Sequence, residues 1–263
     1  MVSGNQVIDL GYPDLVAFLE DGERARQAAG KLADRPPASA VHPLSAVKIH
    51  APLQRPPKFI LIGLNYRDHA IESGLAIPST PTVFAKYSNA IIGPGEPIRL
   101  PAVSKEVDYE AELAFVIGRQ SKDIPPARWA DYVFGYTMVN DVSARDFQRA
   151  TTQWMMGKTP DTFAPMGPEL VSADEIPDPH NLRISCEVNG RVLQDSSTSQ
   201  LIFRIPDLVA YLSQLITLEP GDIVSTGTPP GVGFARKPPI FLQPGDEVVV
   251  KVEGLGELRN PVK

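Results

Sequence analysis

Residues 107–118 read VDYEAELAFVIG, and this stretch constrains the fold more than any other. Alternate residues of a strand point the same way. Tyr109, Ala111, Leu113, Phe115 and Ile117 therefore share one face, and Asp108, Glu110 and Glu112 share the other. Side chains two apart on a strand are separated by roughly 6.6 Å of backbone rise. At an effective dielectric of about 20, two charges at that spacing repel by roughly 2.5 kcal/mol. A solvated edge strand would screen much of this. A buried acidic face would instead need a cation, and oxygen-only ligands suit a hard ion such as Mg²⁺, Mn²⁺ or Ca²⁺.

Short strand signals dominate the rest of the chain. Lys58–Gly63 (KFILIG) reads as a strand buried on both faces. Thr82–Lys86, Pro97–Leu100 and Tyr132–Val139 are further strands. Asn189-Gly190, between Ser185–Val188 and Arg191–Gln194, is a hairpin signal. The pattern L-x-P-G-D-x-V occurs at Leu218–Val224 and again at Leu242–Val248, each a turn feeding a strand. Helices are expected over Asp14–Ala33, over Asn65–Ser73 with Asn65 as N-cap and Gly74 as stop, and over Ile205–Thr217 with Leu208, Leu212 and Leu215 on one face. Ser45–His50 reads as a strand ahead of the stiff connector Pro52, Pro56 and Pro57. The fold class is mostly β or α+β. The expected domains are a small α+β unit at 1–55 and a larger, strand-rich domain at 56–263.

Composition narrows the function. A net charge of −6 supplies no basic footprint for nucleic acid or an anionic membrane surface. Cys186 stands alone, so neither an internal disulfide nor a thiolate metal cluster is available. His42, His50, His69 and His180 show no zinc-protease spacing. No leader or membrane span is evident, and a cytoplasmic protein is expected. Gly157-Lys158-Thr159 lacks the upstream glycine of a phosphate loop, Gly231-Val232-Gly233 lacks the third glycine of a dinucleotide fingerprint, and no G-x-S-x-G elbow occurs.

The chemistry-bearing residues are dispersed. Asp141 closes an apolar strand, where it could meet Glu110 and Glu112 or serve as a turn cap. His69 and Glu72 are three apart on a short helix, the spacing of an assisted general base and equally of a surface pair. Arg145 and Gln148 lie one helical turn apart. Lys158 sits in a Gly- and Pro-rich loop, where a lysine is solvated or catalytic. Thr228, in STGTPPGVG, lies either in a tight turn or where backbone can approach a ligand closely.

Together these pieces resemble the fumarylacetoacetate hydrolase family from about Pro57 to Val262. The resemblance rests on GLNYRDHAIESG, KYSNAIIGPGEPI, VDYEAELAFVIG, NDVSARDFQ, GKTPDTFAPMGP, VNGRVLQDSSTSQLIF and the segment from STGTPPGVG to RNPV, all in order. It implies a β-sandwich roll with short helices, assembled as a homodimer or larger. By the same resemblance Glu110, Glu112 and Asp141 are ligands of Mg²⁺ or Mn²⁺, with Ca²⁺ also accommodated. His69 and Glu72 activate water, Lys158 holds a substrate oxygen, and Arg145, Gln148 and Thr228 line the substrate site. No role carries over to Asp108. The family's usual Ser-Phe after the lysine is here Thr159-Pro160, which bears on the substrate's variable end. The implied activity is hydrolysis of acylpyruvate-type 2,4-dioxo acids. The alternatives are oxaloacetate decarboxylation, or tautomerisation or isomerisation of a 2-oxo acid at the same site. A non-catalytic metal-binding member is the remaining class.

Overall fold

The computed structural model describes residues 1–263. Strands β1 (Val2–Ser3), β2 (Gln6–Ile8) and β3 (Val41–Pro43) form an N-terminal antiparallel sheet. Two helices lie between β2 and β3, α1 (Leu15–Glu20) and α2 (Gly22–Asp34). One helix was expected here. Asp14 caps α1 by accepting from the Ala17 N–H, but the chain is recast at Asp21, whose carboxylate is held by Tyr12 and Arg24. The strand expected at Ser45–His50 is absent. Leu44–Ala46 is a 3₁₀ turn instead, and Val41–Pro43 takes the place in the sheet by pairing with Gln6–Ile8.

The later strands are β4 (Phe59–Gly63), β5 (Thr82–Ala85), β6 (Ile91–Ile92), β7 (Val107–Asp108), β8 (Ala111–Ile117), β9 (Val133–Asn140), β10 (Ser143–Ala144), β11 (Ala164–Ser172), β12 (Arg183–Val188), β13 (Arg191–Ser197), β14 (Ile223–Ser225), β15 (Glu247–Val252) and β16 (Gly256–Pro261). Short helices are inserted among them, namely α3 (Arg67–Glu72), α4 (Arg145–Gln148), α5 (Met155–Lys158) and α6 (Ile205–Leu215). Seven strands form the main sheet in the order β5-β4-β14-β8-β9-β11-β6, and a second sheet runs β13-β12-β15-β16. The second sheet packs through β12 and β15 onto β8 and β9, which makes the sandwich.

The expected strand at 107–118 is divided. Val107–Asp108 pairs with β10, and the chain re-enters pairing at Ala111. Strand β8 is central, flanked by β14 and β9, so a solvated edge is excluded. Leu113, Phe115 and Ile117 point into the core between the two sheets. Full burial of such side chains contributes about 1.5–3 kcal/mol each. The opposite face turns apolar at Ala114 and Val116, where Phe18, Leu19 and Ala25 of the N-terminal helices cover it. Acidic and apolar residues therefore divide along the strand as well as between its faces.

Turn chemistry follows the sequence closely. Asn189 and Gly190 both have positive φ, at 53° and 75°, as a two-residue type I′ hairpin requires. In the two L-x-P-G-D-x-V copies, Asp222 and Asp246 each accept the backbone N–H three residues earlier, at 2.8 Å. Helix α6 stops at Leu215, which is 77% exposed and not on the buried face of Leu208 and Leu212. No helix is long and apolar enough to cross a membrane.

Candidate active site and metal centre

Six segments converge on one cavity of about 390 Å³. Strand β8 and the residue before it bring Glu112 and Glu110, and Asp141 follows β9. Helix α3 brings His69, α4 brings Arg145 and Gln148, α5 brings Lys158, and the loop after β14 brings Thr228. Glu72 lies behind His69 and completes the residues expected from the sequence, so all nine meet at one place.

Glu110, Glu112 and Asp141 each present a carboxylate oxygen within 4.8 Å of the others, and all three are buried. Glu110 is positioned by its backbone, whose N–H donates to Asn140 Oδ1 while its carbonyl accepts from the Asp141 N–H. Lys158 Nζ donates to Glu110 Oε2 at 2.7 Å and to Asp141 Oδ2 at 2.6 Å. Arg145 Nη2 lies 2.6 Å from Glu110 Oε1. Burial alone would raise the Glu110 carboxyl, but Arg145 and Lys158 outweigh it and hold the group below the usual range. Lys158 likewise stays protonated, since Asp141 and Glu110 more than offset its burial.

Glu112 is different. It has no cationic partner and accepts only from Ser225 Oγ at 2.5 Å and the Gly227 N–H at 3.1 Å. Burial pushes it well above the ordinary carboxylate range, and Asp141 and Glu110 add repulsion. Asp141 Oδ1 lies 2.8 Å from Lys86 Nζ but carries no aligned hydrogen bond. Four buried carboxylates, counting Asp108, thus face three buried cations, Lys86, Arg145 and Lys158. A buried carboxylate without a cationic partner, Glu112, clustered with the oxygens of Glu110 and Asp141, fits a hard divalent cation, which takes several oxygen ligands. The residues suit such an ion without identifying it.

His69 lines the same cavity; its Nδ1 is 3.1 Å from Glu72 Oε2, and the Gly231 N–H donates to Glu72 Oε1 at 2.9 Å. Asp68 accepts from Ser196 Oγ, tying α3 to β13. The expected N-cap is not formed. Asn65 is fully buried, and its amide accepts from the Phe203 N–H and donates to the carbonyls of Phe203 and Thr226. Buried polar groups demand such partners, and here that demand outweighs helix capping. Gly74 ends the helix as expected, with φ of 66°.

Thr228 lines the cavity, but its hydroxyl is committed. It donates to the Ala111 carbonyl at 3.0 Å and accepts from Gln194 Nε2 at 2.8 Å. The glycines that follow serve packing more than ligand approach, for a Cβ on Gly233 would lie 1.8 Å from the Ile240 carbonyl. Gln148 Oε1 accepts from Arg145 Nη1 at 2.9 Å, which leaves its amide N–H groups to donate elsewhere.

Three organising residues escaped the sequence reading. Lys86 is 3% exposed and donates to the carbonyls of Val142 at 2.9 Å, Phe163 at 2.7 Å and Lys158. Gln194 is fully buried and also accepts the Ala111 N–H. Asp108, left without a role, is fully buried and binds Arg145 Nε at 2.9 Å. A lone lysine after a strand and a lone glutamine within one give no local signal. Asp108 did carry one, since the period of two in the sequence sets it on the same expected face as Glu110 and Glu112.

Residues 58–263 match the model of the fumarylacetoacetate hydrolase C-terminal family. The chain belongs to this family. It is 50% identical over 267 residues to an oxaloacetate tautomerase of Rattus norvegicus, covering 98% of this chain and 84% of the relative. A 2-hydroxyhepta-2,4-diene-1,7-dioate isomerase from Mycobacterium marinum superposes with TM-score 0.75 at 42% identity, over 86% of this chain and 81% of that one. A maleylpyruvate hydrolase from Sphingobium sp. SYK-6 superposes with TM-score 0.83 at 32% identity, over 100% of this chain and 94% of that one. The family places the chain among enzymes. The cytoplasmic expectation is corrected by these relatives, since the rat protein and those of Xenopus laevis and Homo sapiens are mitochondrial by name.

Proposed function

We propose that this chain is a divalent-metal-dependent tautomerase of oxaloacetate-type 2-oxo acids, interconverting their keto and enol forms. The observation that carries the reading is its 50% identity, along nearly its whole length, to an oxaloacetate tautomerase. The geometry supports it with a base-type histidine and a carboxylate cluster lining one cavity. Acylpyruvate hydrolysis, the reaction first expected, shares this machinery and the fold of the maleylpyruvate hydrolase, but the tautomerase relatives favour proton transfer.

Glu110, Glu112 and Asp141 would hold Mg²⁺ or Mn²⁺. When bound, the ion would supply Lewis-acid polarisation of a 2-oxo acid's oxygens, which acidifies the adjacent C–H. His69 is the base. With Nδ1 held by Glu72, its Nε2 is the nitrogen left to take a proton from C3 and to deliver it to the C2 oxygen as the enol forms. Glu72 is fixed in turn by Gly231, so the imidazole keeps its orientation as its charge changes. Lys158 remains an ammonium and stabilises negative charge developing on the substrate oxygen. Gln148 and Arg145 orient a substrate carboxylate, and Thr228 shapes the wall beside it. The partner is thus a small 2-oxo acid, and the homodimer implied by the family resemblance belongs to the same reading.

The test follows the ultraviolet absorbance of oxaloacetate enol in metal-stripped protein, with Mg²⁺ or Mn²⁺ restored. Metal-restored acceleration of enol–keto exchange is expected, without CO₂ release. Cleavage of acetylpyruvate with exchange left at its background rate would return the protein to the hydrolase reading. CO₂ release from oxaloacetate would make it a decarboxylase.

A further inference from the structure

We infer that Asp108 is a positioning residue that locks the substrate-side guanidinium and the base-side turn to each other. Four donors converge on its carboxylate. Oδ2 accepts from Arg145 Nε at 2.9 Å and the Phe234 N–H at 3.1 Å. Oδ1 accepts from the Gly233 N–H at 2.7 Å and from the Tyr109 N–H at 2.8 Å. The group is fully buried. Phe234, whose backbone Asp108 holds, also lays its ring against the Arg145 guanidinium, with a carbon-to-centroid distance of 4.5 Å. Arg145 is therefore gripped from its edge by Asp108 and across its face by a ring that Asp108 itself places.

The same turn also reaches the base. Gly231, two residues before Gly233, donates its N–H to Glu72, the carboxylate that holds His69. Its two ends thus anchor Glu72 and Asp108. A shift of the turn would move the Glu72 anchor and the ring over Arg145 together. Because every group facing Asp108 is a donor, asparagine is no conservative replacement. Its NH₂ would confront either the Arg145 and Phe234 pair or the Gly233 and Tyr109 pair, although its volume is nearly unchanged.

The role for Arg145 rests on the proposed function, so the test has one arm that needs no substrate. In metal-loaded protein, hydrogen–deuterium exchange over residues 231–236 is compared between wild type and Asp108→Asn. Faster exchange there, with metal content near wild type, is expected. In the kinetic arm, Asp108→Asn should raise KM for oxaloacetate roughly 10- to 100-fold, with a smaller change in kcat, as loss of a charge-assisted bond implies. The increment should largely disappear in an Arg145→Lys background, because the effect runs through Arg145. Phe234→Leu keeps the buried charges and serves if Asp108→Asn does not fold. It too should raise KM, non-additively with Arg145→Lys.

Unchanged exchange over 231–236, or KM effects that simply add to those of Arg145→Lys, would overturn the inference. A lower melting temperature with KM and kcat both unchanged would reduce Asp108 to a structural residue and overturn it equally. Should wild type fail to turn over oxaloacetate at all, the functional reading falls, while the exchange arm still decides on the lock.

Discussion

Lys86→Met is the sharpest probe of how the site is held. The substitution keeps most of the unbranched side chain and removes the ammonium group with its charge. In the wild type, Lys86 Nζ serves three backbone carbonyls, those of Val142, Phe163 and Lys158, and lies 2.8 Å from Asp141 Oδ1. These acceptors come from the segment after β9, from α5 and from the chain just before β11, so the ammonium pins together the three pieces that carry Asp141 and Lys158. Removing one member of a buried ion pair typically costs about 3–5 kcal/mol, because the partner charge is left uncompensated. The carbonyls lose a donor in a place water does not reach, which places the loss toward the upper end of that range. Burial pulls the Lys86 pKa down to about 8, against the pull of Asp141. The comparison is therefore made near pH 7, where the ammonium form prevails. For a chain of this size each kcal/mol moves the melting temperature by about 2–4 °C. A loss near 5 kcal/mol then gives a fall of about 10–20 °C in metal-free protein, read by calorimetry and by urea unfolding. A fall under about 2 °C, with an unchanged unfolding slope, would refute the view that Lys86 is a structural pin.

Other consequences can be read in parallel. His69→Gln should retain bound metal, measured by elemental analysis, and lose oxaloacetate enol–keto exchange by about 10²- to 10⁴-fold, the usual worth of a positioned base. Metal removal should lower stability. At 100 times its dissociation constant, an ion bound only to the native state contributes about 2.7 kcal/mol, or about 5–11 °C in melting temperature. Glu112→Gln should shrink the gap between chelated and Mg²⁺-loaded protein in differential scanning fluorimetry. His180 supplies a pH test away from the site. Burial, and then Arg204, lower its pKa, and its Nε2 accepts from the Ile205 N–H at the start of α6. The unfolded chain therefore takes up this proton first as pH falls, so stability drops below about pH 6.5. His180→Gln should flatten that part of a urea-unfolding series between pH 7.5 and 5.5.

What the sequence disclosed, and what it withheld, divides by the range of the interaction. The Asn189-Gly190 hairpin and the paired L-x-P-G-D-x-V turns were legible because each is decided by a few adjacent residues and their own backbone. The strand at 107–118 was legible as a strand, but its break at Tyr109–Glu110 was not. That break depends on β10 capturing Val107–Asp108, a pairing set by residues more than thirty positions away. Asn65 makes the same point in reverse. It carries a sound local signal for a helix cap, yet Phe203 and Thr226 claim its amide. That the nine residues named from the sequence meet at one cavity was legible only through the family resemblance, which supplied the long-range knowledge that periodicity lacks. The residues that hold this set, Lys86, Asp108 and Gln194, bind mostly backbone groups, whose identity no side-chain pattern records. Charge balance joins the two groups. The carboxylates that would take a metal ion can be buried side by side only because Lys86, Arg145 and Lys158 are buried with them. Glu112, the one carboxylate without a paired cation, is therefore where the need for an ion is greatest.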